Sequence, residues 1–158
     1  MAALSQLVAN LEQQCALYTD LESVLAEQQS ALIGRATDRL EAANRRHALL
    51  AEALATAETQ RQEWLNALPA ASRSLRGLLA LANDASLKER LERLAALLPA
   101  RLQRVTHLVR TNRLLAADAA QSCAHLLRLL GIEDATGYAP PTQARPAPAH
   151  SLSLDVTA

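Results

Sequence analysis

Apolar residues recur every three to four positions over most of this chain. Between residues 3 and 33, Leu4, Leu7, Leu11, Tyr18, Leu21, Leu25 and Leu32 keep that spacing, with Gln14 and Gln28 as polar members of the stripe and Val8, Cys15 and Val24 widening it. Such a stripe, sustained over about four heptads, predicts one long helix with coiled-coil-like packing. Gly34 stops it, and Thr37 or Asp38 can cap the next helix. That second helix is predicted over about 37–68 through Leu40, Ala43, His47, Leu50, Leu54, Ala57, Arg61, Trp64 and Leu68, with Pro69 ending it. Its seam is weaker, because it holds two alanines, a histidine and an arginine. A short helix over about 70–82 carries Leu75, Leu78, Leu79 and Ala82, and Asn83-Asp84 breaks it.

Ser86 with Glu89 three residues on reads as a capping box. It opens the longest stripe: Leu87, Leu91, Leu94, Leu98, Leu102, Val105, Leu108, Asn112, Leu115, Ala119, Leu126 and Leu130. Pro99 lies inside this run, and a proline in a helix interior removes a backbone donor and crowds the preceding turn. A break or strong kink is therefore expected there, with the second segment running to Leu130 and Gly131 as the stop. Helices of about 31 residues span roughly 45 Å. Joined by short links, they bury their stripes only by lying antiparallel. The expected fold is all-α, an elongated antiparallel bundle of three to four long helices over residues 1–132, followed by a Pro/Ala-rich tail over 133–158. The stretch 139–149 has little to bury, so the tail is expected to be disordered. The alternating end, Ser151 to Val156, has the pattern of an added edge strand, although a frayed terminus is the simpler reading.

Composition narrows the class further. Half of the residues are hydrophobic but only 2% are aromatic, and there is no Phe. A sandwich or barrel needs β-branched and aromatic strands with frequent turns, and a nucleotide-binding α/β fold needs a Val/Ile-rich strand before a Gly-rich loop. Neither is present in the sequence. The formal charge is zero, so no net field draws the chain to nucleic acid or membrane. The distribution is uneven: Glu12, Asp20, Glu22 and Glu27 stand in the first 33 residues with no base, whereas residues 69–131 are rich in arginine. An acidic first helix and a basic last one are expected to pair. Cys15 and Cys123 show no framework spacing and read as small apolar fillers in a reducing compartment. No basic leader precedes an apolar run, and no stretch reaches the roughly 20 apolar residues of a membrane span. A cytoplasmic protein is expected, without stable membrane insertion.

The sequence holds no recognisable catalytic or metal-binding pattern. The residues three before His47, His107 and His125 are Asn44, Arg104 and Ser122, not the Glu of a di-iron bundle. Cys123 and His125 point about 200° apart on a helix and cannot share a metal locally. His47 is followed by Ala48-Leu49-Leu50, which suits a seam histidine better than a phosphotransfer one. No enzyme activity, cofactor or metal is expected. Arg101, Arg104, Arg110, Arg113 and Arg128 lack aromatic interleaving, so nucleic-acid binding is not expected. Two function classes remain: a chaperone or adaptor that sequesters a partner's amphipathic segment, and a structural coiled-coil bundle acting through self-assembly. The C-terminal region separates them. Leu126, Leu127, Leu129, Leu130 and Ile132 cover more than one helical face, and a three-helix seam buries only one stripe. The surplus is either open to a partner or covered by self-association, a homodimer being the simplest form.

Order and spacing together resemble the FlgN family of flagellar export chaperones over nearly the whole chain. The resemblance rests on a Leu-heptad helix, a break before Thr37-Asp38, then Arg46-His47-Ala48-Leu49-Leu50 and Gln60-Arg61, and Asn112-Arg113-Leu114-Leu115 in the last helix, similar to the family's Asn-x-x-Leu-Leu. It departs at His47, where the family usually has Lys, and at Tyr138-Ala139-Pro140-Pro141-Thr142, where the family commonly reads Tyr-Gly-x-x-Gly. The resemblance implies a cytosolic chaperone that holds the terminal helices of hook–filament junction (hook-associated) proteins and brings them to the flagellar type III export gate. It implies cargo binding at Leu115, Leu126, Leu127, Leu130 and Ile132, and gate docking at Tyr138.

Overall fold

The computed structural model describes residues 2–131. The Pro/Ala-rich tail, Ile132 and Tyr138 lie outside the described residues. Among the described residues four α-helices come in order: α1 Ala2–Ile33, α2 Thr37–Asn66, α3 Leu75–Leu81 and α4 Ala85–Leu129, with a 3-10 turn, Ala70–Ser72, before α3. Among the described residues there is no strand. The expected all-α bundle is what forms.

α1 is the middle helix. α2 runs antiparallel to it, and α4 returns parallel to it; each packs along α1, while α2 and α4 make little contact with one another. The register is visible in the cross-helix pairs. Asn10 near the start of α1 bonds the Ala57 carbonyl late in α2, and Glu27 near its end meets Arg46. Glu12 meets Arg90, Glu22 meets Arg101, and the Leu25 carbonyl accepts from Asn112. The expected attraction between an acidic first helix and a basic last one is therefore built from Glu12–Arg90, held by two hydrogen bonds of 2.8 and 2.6 Å, and Glu22–Arg101 at 3.0 Å.

The main apolar cluster lies at one end, called lower here, and Leu21, Val24, Leu25, Ala31 and Ala43 continue the buried seam beyond it. Leu4, Leu7 and Val8 of α1 pack with Leu78 and Ala82 around α3 and with Leu91, Leu94 and Leu98 of α4. Tyr18, Trp64, Leu65 and Leu68 close around that cluster. Burial pushes the Tyr18 phenol above its ordinary range, with Glu58 adding to the shift and Arg61 opposing it. Buried polar residues occur in both halves, Asn10 and Gln14 below and Gln28 and Asn112 above. Gln28 reaches both flanking helices: its Nε2 donates to Asn44 Oδ1 at 2.8 Å and approaches His47 Nδ1 at 3.2 Å, and its Oε1 accepts from Asn112 at 3.4 Å.

Several local expectations need correction. The chain does not break at Pro99: α4 is one helix of 45 residues with that proline inside it. Pro99 is exposed while Leu94 and Leu98 are buried on the other face, so water can reach the side where the backbone bond is lost, and packing holds the turns on either side. The cap of α4 is Asp84, whose carboxylate accepts from the Ser86 amide at 3.1 Å, and not the Ser86 box. The N-cap of α2 is Ala36, which offers no side-chain cap, because Thr37 and Asp38 already lie within the helix's first turn. The 70–82 segment is not one helix; Ser74 caps α3 by accepting from the Gly77 amide, which fixes a fresh start after the 3-10 turn. At the end of α1, Ala36 bonds the Ala31 carbonyl and Arg35 bonds that of Leu32, the pairing of a Schellman motif. Its left-handed position is Arg35, with φ of 51°, one residue beyond the expected stop at Gly34. Gly131 ends α4 with φ of 69°, as expected.

These contacts set the stability. Leu91→Ala should lower unfolding free energy by about 2–5 kcal/mol, while Leu129→Ala should stay within about 0.5 kcal/mol, both by urea titration. Arg35→Gly should raise stability by about 1 kcal/mol, because glycine takes the left-handed conformation without the Cβ penalty. The hydrogen bond from Arg90, aided by the Arg90 and Arg93 charges, holds the Glu12 carboxyl below its ordinary value against a smaller opposing effect of burial. A depressed carboxylate gives stability that is present above the unfolded value of about 4.5 and is lost as pH falls through the folded value. Glu12→Gln should flatten the acid limb of a stability–pH curve.

Candidate functional site

α4 outruns the helices it packs on. Its contacts with α1 reach the α1–α2 turn through Leu115, Ala119 and Leu126, which face Ala31, Leu32, Ile33 and Ala36 across a cleft. Every residue from Ala116 to Leu130 is exposed. That is about four turns of helix, roughly 20 Å, with one side or more turned to solvent. Leu114 is 65% exposed, Leu126 56%, Leu129 70% and Leu130 72%. Leu127 and, on the turn, Ile33 are exposed as well. Side chains of this size are normally covered, and when contiguous they mark an interaction surface. Arg110, Arg113, Asp118, His125 and Arg128 stand among them on the same helix.

Of the residues the sequence assigned to cargo, Leu126, Leu127 and Leu130 lie on this surface. Leu115 is half-buried and lines the cleft against Leu32 and Leu40. Ile132 and Tyr138 fall outside the described residues. Ile33 is not among the residues assigned from sequence, since its place in the α1 pattern gives no sign that the α1–α2 turn lies beside the open end of α4. Leu114 stands out in the sequence only as part of the Asn-x-x-Leu-Leu match.

A second open surface adjoins the first. Because α2 and α4 both lean on α1 and hardly touch, a groove runs between them. Its upper part has Leu25, Gln28 and Leu32 as floor, Leu40, Asn44 and His47 on the α2 side, and Val109, Asn112, Arg113 and Ala116 on the α4 side. Among the described residues no group of three or more His, Cys, Asp or Glu side chains gathers as metal ligands would. No helix among them is long and apolar enough to cross a membrane. The site is a surface of leucines and alanines edged by charge and open to solvent.

The family model described as FlgN protein matches residues 1–146. The chain belongs to the FlgN family. This is the family of flagellar export chaperones, so the open leucine surface belongs to a protein whose general role is to bind and escort other proteins. FlgN-family chaperones bind flagellar hook-associated proteins, which gives the kind of partner. No curated protein and no solved structure matches this chain.

The polar chain in the upper half of this FlgN-family bundle has a fixed polarity. The Leu25 carbonyl is an acceptor only, so Asn112 must present its NH2 there. Asn112 then donates to Gln28 Oε1, which leaves Gln28 to donate toward Asn44 and His47. His47 Nδ1 must accept, which places its proton on Nε2. Two-bond 1H–15N correlation spectra of the neutral imidazole should show the Nε2–H tautomer; a signal from the Nδ1–H form would contradict this polarity.

Proposed function

We propose that this FlgN-family protein is a cytoplasmic export chaperone that binds the helical terminal segments of hook-associated junction proteins through the free end of α4, and delivers them to the flagellar type III export gate. The observation that carries the reading is the set of exposed leucines between Leu114 and Leu130, which nothing among the described residues covers. Junction-protein termini that assemble through helices present amphipathic faces, and a helix laid along the α4 end buries leucine on both sides. The expected gain comes from apolar burial, at about 25 cal/mol per Å², and not from charge. Tyr138, nine residues beyond the end of α4 in the sequence, is assigned to gate docking by its match to the family's tyrosine. A tyrosine offers large contact area with few rotors to immobilise.

Leu126→Asp with Leu130→Asp places two charges where the partner's apolar face must sit, so binding of a junction-protein terminal segment should be lost in calorimetry. Both positions are exposed, so circular dichroism should show unchanged helix content. Unchanged affinity in the folded variant would move the cargo site off this helix end. Tyr138→Ala should leave cargo affinity unaltered while reducing export of the junction proteins into culture medium. A variant that loses cargo affinity instead would remove the gate role.

A structural bundle acting by self-assembly is the second reading, favoured by the same uncovered leucines. Sedimentation at rising concentration separates the two, since self-assembly requires the free protein to associate through α4 while the chaperone reading requires a stoichiometric complex with cargo.

A further inference from the structure

The lower and upper halves of the α2–α4 groove are treated differently by the chain itself. In the lower half α3 covers the groove: Leu78 and Ala82 pack in one cluster with Leu4, Leu7 and Val8 of α1 and Leu91, Leu94 and Leu98 of α4, and Leu75 and Leu78 roof a small apolar pocket over Leu7, Leu11 and Leu65. α3 thus acts there as a short fourth helix. In the upper half no described segment takes that place, and Leu25, Leu32, Leu40, Val109 and Ala116 line an open trough.

Two further observations describe what fits. Asn112 sits in that trough, is 7% exposed, and its Oδ1 has no hydrogen-bond partner although its Nδ2 is used. A buried amide oxygen left without a donor is unusual in a finished core. On the α4 bank Arg113 lines the trough, and Arg110 stands beside it on the adjoining face of the same helix with Val105, Val109 and Leu114; neither arginine forms an ion pair among the described residues. On the α2 bank the acid Glu41 is taken up by its own Arg45. The trough is therefore apolar at its floor, positive along one wall, and short of one donor.

We propose that the upper trough receives an amphipathic helix of the exported partner, seated in line with α3 so that a four-helix arrangement continues up the bundle. The inference rests on the chaperone reading above and extends its site from the free end of α4 onto the α2–α4 trough. The occupant's chemistry comes from the walls. Its apolar face covers Leu25, Leu32, Leu40 and Val109; a carboxylate on its α4 side meets Arg113, with Arg110 adding its charge from the adjoining face; a side-chain donor facing inward supplies the hydrogen bond that Asn112 lacks, after a small rotation of that amide. Arg110, Arg113 and Asn112 would then set the register and acidity of the helices that bind, while the leucines beyond supply most of the affinity.

The test uses the full chain and, as probe, a synthetic peptide covering the terminal helical segment of a hook-associated junction protein. Ala116→Trp fills the trough from an exposed position, and Arg110→Glu with Arg113→Glu reverses its charged wall; all three positions are exposed, so melting temperature should hold. Ala116→Trp should weaken binding at least tenfold. The double reversal should weaken it severalfold at low salt, with the gap narrowing at 0.5 M salt as screening removes the charge effect. Neutralising the peptide's carboxylates should give the same loss, and no additional loss in the double reversal. If both variants bind as the unaltered protein does while Leu126→Asp with Leu130→Asp does not, the trough is not a docking site, though the chaperone reading stands. If the unaltered protein binds no such peptide, both fail. If Ala116→Trp changes only the sedimentation of the free protein, the occupant is a second copy of the chain and the proposal is overturned.

Discussion

A mismatch in helix length governs this molecule. α1 and α2 have 32 and 30 residues and are joined by a tight turn, so together they offer a platform of fixed length. α4 has 45 residues, starts near the lower end of that platform, and runs parallel to α1. It must overshoot. Among the described residues, most of the apolar surface of its last four turns is left uncovered, with only the cleft beside the α1–α2 turn facing it. The open leucines and the cleft beside Ile33 are consequences of that excess, and they suit the binding role of the family. Pro99 permits it by lying on the solvent side, where the helix survives one missing backbone bond.

Holding α4 in this register is the task of polar groups more than of the core. The lower cluster of Leu7, Val8, Leu78, Leu91 and Leu94 is a packed apolar core, but leucine layers tolerate sliding by a turn. Glu12–Arg90, Glu22–Arg101 and Asn112 to the Leu25 carbonyl do not, because each pair works at one offset only. A slip of one turn would leave Asn112 and Gln28 buried without their partners, which is costly. Buried polar residues used for register, as in coiled coils, account for Gln14 and Gln28 interrupting the α1 stripe. Asn10 belongs to the same set: it accepts from Gln14 and donates to the Ala57 carbonyl.

The heptad stripes of α1 and α4 are readable in the sequence because a sustained 3-4 spacing of leucine suits an amphipathic helix and little else. The same is true of the acid–base pairing and of the leucine surplus at Leu126, Leu127 and Leu130. Geometry between helices sets the rest. Pro99 suggests a break, since the sequence does not say which face a proline will occupy, and that expectation hides the full length of α4. Asp84 and Ser86 are both good caps, and only the backbone decides between them. The trough has no linear signature at all: it exists because α2 and α4 sit on α1 without meeting. Asn112 is visible as a member of the stripe, while its unpartnered oxygen is not.

If the last turns of α4 stand open in the free protein and close on a partner, their backbone amides must report it. Hydrogen–deuterium exchange of the full chain, alone and with a junction-protein terminal segment, tests this most directly. Slow exchange is expected across about 90–112, where α4 is packed on α1, with fast exchange across 116–130 and strong protection of 116–130 on addition of the partner. Slow exchange across 116–130 in the free monomer, or no change there when the partner binds, would contradict it.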